Sequence, residues 1–295
     1  MNKNFGVDLE KEKLEQSVED WNFGATSLET IDKVPVGEIM SYLPIGELQR
    51  GQEDFMDCVT RAFHNRIELG LNYLLRTKQL PNEQWFKDKG YIKDNHFELS
   101  DRFIAILSNT TRQGNSIKAP IDAIRKYGVI PKIMLPANQR MTFDEYHRKT
   151  DITDKMYALG KESLTKLSFN YEKVFKSQYA DFKEPVVVAG FAWPNPINDE
   201  YPRVQGTFNH SWLNLFPKYY AYDNYIDSVD GDWVKKLSPD YDFYEYGYRV
   251  IITKTIPEQY VNILTKILDI LKSYISILSR EIGGFIGGVF SKRID

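Results

Sequence analysis

The sequence predicts an α+β protein with helices ahead of an antiparallel sheet. Three observations carry this. Between Cys58 and Tyr127, apolar residues recur at helical spacing in separate blocks. After Pro185 they become β-branched and aromatic, in short runs bounded by breakers. Beyond Pro257 a third pattern begins, rich in isoleucine and leucine at near-heptad spacing.

Residues 1–50 read as an extended or irregular segment, with Asn22-Phe-Gly-Ala-Thr-Ser and the breaker-rich Tyr42-Leu-Pro-Ile-Gly. Residues 58–76 predict a helix, because Val59, Ala62, Phe63, Ile67, Leu71, Leu74 and Leu75 share one face. A shorter helix runs from Ser100, its expected N-cap, to Ser108. Ala119 to Tyr127 is a third, stopped by Gly128 with Pro131 beyond. Lys155 to Phe175 reads as a longer helix. Val186 to Trp193 and Tyr246 to Thr253 are strands, and Ser211–Phe216 with Tyr219–Tyr222 form a hairpin around Pro217-Lys218. In residues 258–281, Tyr260, Leu264, Ile267, Leu271, Tyr274 and Leu278 make a seam that further isoleucines widen. A stripe so broad is expected to self-associate, giving a homo-oligomer. The expected organisation is therefore a segment 1–50, a main domain 51–256 (helical lobe 51–180, β lobe 181–256) and an amphipathic tail 257–295.

The net charge of -3 gives no reason to expect a nucleic-acid partner. A single cysteine allows no intrachain disulfide, and the start, Met1-Asn-Lys-Asn-Phe-Gly, lacks the apolar core of a signal peptide. No run of roughly 18 apolar residues suits a membrane span. The expectation is a soluble, cytoplasmic protein without cofactor or metal.

Cys58 is that single cysteine, and it falls where an acidic turn enters the first helix. Unpaired N–H groups at a helix start favour an anion, which suits a nucleophilic thiolate. The plain alternative is a small buried hydrophobe. A catalytic thiol needs a base. His64 lies on the far side of the same helix, at about 100° per residue. His96 and His147 sit in polar surroundings and read as solvated. His210 opens the hairpin, a position that holds a side chain rigidly. The returning strand ends in Asp223-Asn224-Tyr225, so an acid or amide can orient the imidazole. Glu68, on the Cys58 helix, is expected to be buried and to meet polar groups of the β half.

This order of residues resembles the papain-like cysteine peptidases, whose cysteine-to-histidine spacing is roughly 130–150 residues. Gln52 precedes Cys58 at the family's spacing for the oxyanion-hole glutamine. Ala62-Phe63 and Ile67-Glu68 resemble its central helix, and Leu99-Ser100-Asp101 its next one. Gly114-Asn115-Ser116, then Ala119 to Gly128, resemble the segment and helix that border the substrate cleft. Asn209-His210-Ser211 and Gly247-Tyr248-Arg249-Val250-Ile251 resemble its histidine strand and a late strand. The set is collinear from about residue 45 to 253. It departs from the family in having Val59 after the cysteine, no disulfide cysteines, Asp223-Asn224-Tyr225 in place of "NSW", and no clear inhibitory propeptide. A second glutamine, Gln49, competes with Gln52 for the oxyanion role. The whole looks closest to divergent bacterial and phage members.

The resemblance implies a papain-like two-lobe fold, helical lobe then antiparallel β-barrel lobe, with the C-terminal helix added. It implies a thiol hydrolase acting on peptide or protein substrates. Cys58 would be the nucleophile, His210 the base, Asp223 or Asn224 its orienter, and Gln52 or Gln49 the oxyanion donor. Gly114, Asn115, Ser116 and Trp212 would contact substrate. Two alternatives have other outcomes: an inactive binding or virion-structural module, and an amidase acting on peptidoglycan.

Overall fold

The computed structural model describes residues 6–16, 28–193, 195–216, 219–225 and 233–255. The expected amphipathic helix at 258–281 and the turn at Pro217-Lys218 lie outside these residues. The described chain through Lys254 belongs to one compact unit. Among the described residues, no helix is long and apolar enough to cross a membrane.

The expected irregular start contains a helix, α1 (Leu9–Leu14), and a 3-10 turn at Val36–Tyr42. Glu-Lys-Glu-Lys is good helix material, and the Asp8 side chain caps it by accepting from the Lys11 N–H at 3.0 Å. Next come α2 (Cys58–Arg76), α3 (Glu83–Asp88), and a small hairpin of β1 (Ile92–Lys93) and β2 (His96–Phe97). Then follow α4 (Asp101–Leu107), α5 (Ala119–Tyr127), α6 (Phe143–Tyr146) and α7 (Asp154–Leu164). Ser100 caps α4 by accepting from the Phe103 N–H. Gly128 stops α5 at φ 75°, a left-handed conformation that glycine adopts without strain.

The long helix expected from Lys155 to Phe175 is in fact two elements. Thr153 caps α7, which ends at Leu164, and Leu167–Phe175 is strand β3. Leu167, Phe169 and Tyr171 are buried, while Ser168 and Asn170 are only half-buried. That period of two belongs to a strand. Partnership decides it: β3 pairs with β8 along its whole length, from Leu167 opposite Lys254 to Phe175 opposite Tyr246. The sheet thus begins at residue 167, ahead of the expected boundary at 181.

The remaining strands are β4 (Pro185–Gly190), β5 (His210–Leu215), β6 (Tyr220–Tyr222), β7 (Val234–Lys236) and β8 (Tyr246–Lys254). They form a six-stranded sheet of order β3-β8-β4-β5-β6-β7, and every neighbouring pair is antiparallel. Helices precede the sheet, as the α+β reading expects. Successive side chains of β4 and β5 point to opposite faces. Val187, Ala189, Leu213 and Leu215 enter the large core around α2, while Val186, Val188 and Trp212 enter a second, aromatic core with Tyr179, Phe216 and Phe243. Burial on both faces explains why β4 reads as an unbroken apolar run.

The helix α2 packs against β5, β4 and β8 and is buried on nearly every side. Its polar residues must therefore find partners inside the protein. Arg66 Nη1 meets Asp32 Oδ2 at 2.5 Å, and its Nη2 reaches the Val250 carbonyl on β8. Glu68 is buried, but its carboxylate accepts from the Leu99 N–H at 2.6 Å. That partner lies in the helical half, unlike the expected β-half contact. Burial raises the Glu68 pKa well above the carboxylate range, so the group favours its protonated form.

Candidate active site

Asp57 precedes α2 and its side chain does not cap the helix. Its carboxylate instead takes Arg61 Nε at 3.0 Å and the Tyr146 hydroxyl at 2.5 Å. Arg61 and His64 also meet Asp101, at 2.9 and 2.8 Å. This buried ionic cluster turns His64 away from the start of α2. Burial raises the Asp57 pKa to about 6 against the opposing pull of Arg61. Burial would raise Asp101 too, but Arg61 and His64 hold it below its usual value. The cluster braces the turn that presents Cys58. Within that turn Met56 has φ 55°, rare for a side chain of its size, and its N–H donates to Asp54 Oδ1 at 2.9 Å.

Cys58 is the first residue of α2 and is buried. The sulfur accepts from the Ser211 backbone N–H, next to His210 on β5. Burial pushes the thiol pKa well above its ordinary value. The Ser211 N–H opposes this, and Asp57, Asp223 and Asp54 add to it. The helix start alone, expected to lower this pKa, is outweighed.

His210 opens β5 and is fully buried. Its Nε2 lies 2.8 Å from Asp223 Oδ1. The second oxygen of Asp223 accepts from Trp193 Nε1 at 2.5 Å. Trp193, Trp212 and Tyr225 surround the imidazole, with ring centres 5.8, 6.0 and 5.1 Å away. Trp193 was missed at the level of sequence. Its signal was an aromatic at the end of a strand, in a run otherwise read as core.

Of the two orienting candidates, Asp223 faces the imidazole. Asn224 turns to the helical half, accepting from Asn65 Nδ2 at 2.7 Å and donating to the Glu47 carbonyl at 2.8 Å. The two glutamines also differ. Gln52 is exposed, and its backbone N–H donates to Met141 O. Gln49 is fully buried, its N–H donates to Asn224 O at 3.0 Å, and its Nε2 donates to Asp54 Oδ1 at 3.2 Å. Asp54 in turn accepts from the Tyr225 hydroxyl.

Trp212 is fully buried in the second core and presents no surface to a substrate, which corrects its assignment as a substrate contact. Nor is His147 solvated. It packs on Phe143, and its Nε2–H donates to Phe55 O at 2.8 Å, just ahead of the cysteine turn. Burial lowers its pKa to about 4. His96 is half-buried beside Arg76.

Asn115 and Ser116 are buried because another part of the chain covers them. Val7 forms a parallel bridge with Asn115. The Asn115 N–H donates to Gly6 O at 2.9 Å, and the Asp8 N–H donates to Asn115 O at 2.8 Å. Gly114 has φ 96°, and a Cβ there would collide with the Gly6 backbone. Gly6 itself lies over the thiol, where a Cβ would stand 3.1 Å from Cys58 Sγ.

No protein-family model matches this chain, and no curated protein matches it in sequence. Solved structures similar to it are found. One is xylellain, a cysteine protease from Xylella fastidiosa, with TM-score 0.49 and 15% identity over 86% of this chain and 96% of that chain. Another is a digestive procathepsin L 3 of Tenebrio molitor larval midgut, with TM-score 0.47 and 12% identity over 84% and 76%. A third comes from work on the mite allergens Blo t 1 and Der p 1, with TM-score 0.48 and 10% identity over 83% and 78%.

Proposed function

We propose that this protein is a thiol peptidase that cleaves peptide bonds through Cys58, His210 and Asp223. The observation that carries the reading is the buried His210–Asp223 pair, on a strand that packs against the helix beginning at Cys58. Asp223 Oδ1 sits 2.8 Å from His210 Nε2, and the residue after His210 donates its N–H to Cys58 Sγ. A thiol, an imidazole and a carboxylate in series are what nucleophilic acyl transfer needs.

In this reading His210 Nδ1 takes the thiol proton and the sulfur attacks the scissile carbonyl. The imidazolium then protonates the leaving amine, and water hydrolyses the thioester by the same base. Asp223 fixes the Nε2–H tautomer and stabilises the imidazolium. Of the two glutamines, Gln49 is the better oxyanion donor, acting with the Cys58 N–H. It is buried and joined through its backbone to Asn224 beside the orienting carboxylate. Such a donor typically lowers the barrier by about 2.7–4 kcal/mol. The Gly114–Ser116 edge supplies backbone groups for an extended peptide.

The test is labelling by an electrophilic peptide probe, read by mass spectrometry of the Cys58 peptide. Labelling should disappear in Cys58→Ser and in His210→Ala. Unchanged labelling in His210→Ala would refute the dyad. A panel of protein and peptidoglycan substrates then separates peptidase from amidase.

A further inference from the structure

We infer that Asp54 is a positioning residue that orients the Gln49 amide for the oxyanion, a role that rests on the peptidase reading and deepens it. Asp54 lies in the loop that carries Gln49 and leads to Cys58. Backbone contacts close this loop on itself. Arg50 and Asp54 form an antiparallel bridge, the Gly51 N–H donates to Glu53 O at 3.0 Å, and the Phe55 N–H donates to Gln49 O at 3.3 Å. That frame brings the Asp54 carboxylate to the Gln49 side chain.

The carboxylate then meets several parts of the site at once. Its Oδ1 accepts from Gln49 Nε2 at 3.2 Å and from the Met56 N–H at 2.9 Å, in the left-handed residue ahead of Asp57 and Cys58. Its Oδ2 accepts from the Tyr225 hydroxyl, and Arg50 Nε lies 3.6 Å away. The Arg50 guanidinium also stands over the Tyr225 ring at 4.7 Å, and that ring packs 5.1 Å from the His210 imidazole. Burial and the Asp54 charge push the Tyr225 hydroxyl well above its ordinary pKa, so it stays a donor.

The two ends of a glutamine amide have nearly the same shape and opposite hydrogen-bonding character. Turned the wrong way, Gln49 would present an oxygen to the oxyanion and repel it. An ionised carboxylate only accepts, so Asp54 admits only the NH2 end of Gln49. One N–H goes to Asp54, and the second serves the oxyanion. A donor fixed in advance costs no reorganisation at the moment of reaction. Asp54 does for Gln49 what Asp223 does for His210.

The test is steady-state turnover of a fluorogenic peptide by the full chain. It is joined to the side-chain amide 15N–1H signals of Gln49, assigned by their loss in Gln49→Ala. Asp54→Ala should lower kcat about tenfold or more and leave KM within about twofold, because the oxyanion contact is made only in the transition state. Asp54→Ser should lose as much. Its hydroxyl can still accept the Met56 N–H and hold the turn, but it is too short for Gln49. Asp54→Asn should be at least about fivefold more active than either. Its oxygen keeps Gln49 and Met56, while its NH2 donates to the Tyr225 hydroxyl. Asp54→Ala/Gln49→Ala should fall within about threefold of Gln49→Ala, since Asp54 acts through that amide. The Gln49 signals should move in Asp54→Ser and stay near the parent positions in Asp54→Asn. Parent-like turnover in Asp54→Ser would assign Asp54 to the turn alone and overturn the inference. A further tenfold loss in the double variant, or Gln49 signals unmoved in Asp54→Ser, would overturn it too. If the parent cleaves no peptide but the signals move as expected, the peptidase reading falls while the hold of Asp54 on Gln49 stands.

Discussion

Replacing Asp223 by Asn would change one charge and almost no volume. Both oxygens of Asp223 accept hydrogen bonds, one from His210 Nε2 at 2.8 Å and one from Trp193 Nε1 at 2.5 Å. An amide has one oxygen and one NH2 group, so it can satisfy only one of these donors. If its oxygen faces His210, the tautomer survives, but the Trp193 N–H meets another donor and the imidazolium loses its counter-charge. If its oxygen faces Trp193, the NH2 forces His210 Nε2 to accept. The proton then moves to Nδ1, where it blocks deprotonation of the thiol. Either way a hydrogen bond to a charged group is lost, worth about 1.5–3 kcal/mol. At about 1.4 kcal/mol per tenfold, kcat/KM should fall by roughly 10- to 100-fold. It should fall further if the tautomer switches. Imidazole 15N shifts report the tautomer of His210, and a fluorogenic peptide reports turnover. A variant within threefold of the parent, with an unchanged tautomer, would refute the argument. So would a larger loss in Asn224→Ala, whose side chain binds Asn65 and Glu47 instead.

Other expectations follow from the same geometry. Cys58→Ser and His210→Ala should each abolish turnover, and the double variant should be hardly worse, because the pair acts as a unit. Gln49→Ala should cost at least tenfold more in kcat/KM than Gln52→Ala, and equal losses would remove Gln49 from the oxyanion role. Burial lowers the His147 pKa to about 4, so folding favours the neutral ring. Its contribution is present above about pH 6.5 and is lost as pH falls towards 4, by about 3 kcal/mol at most. Asp57, raised to about 6, works the other way, losing its contribution as pH rises from about 4 to 6. Urea unfolding of His147→Asn should therefore show stability rising, relative to the parent, between pH 6.5 and 4.5. An identical pH profile would contradict the burial argument. Asp32→Ala should destabilise by about 3–5 kcal/mol, because it strands Arg66 in the core. A loss below about 1 kcal/mol would contradict this.

Much of the fold is local and was legible. The α2 helix reads from Cys58 to Arg76 because its apolar period is long and unbroken, and α5 because Gly128 marks its end. The catalytic candidates Cys58 and His210 could be named because each stands at the start of an element that a pattern delimits. Other features depended on partners distant in sequence. The segment after Leu164 carries a strand alternation, but only pairing with β8 makes it a strand rather than more helix. Asp223 and Asn224 are neighbours in sequence, and the facing of β6 and the strand end decided which meets His210. A thiol at a helix start is expected to be acidic, yet burial under Gly6 and among carboxylates reverses the sign. The N-terminal segment shows the limit most plainly. Its residues read as extended or irregular, and they say neither that α1 forms nor that Glu12 is buried under Tyr246 and Tyr248. Sequence patterns record what a residue needs from its neighbours along the chain. Desolvation and hydrogen-bond partnership across the fold are set only when distant segments meet.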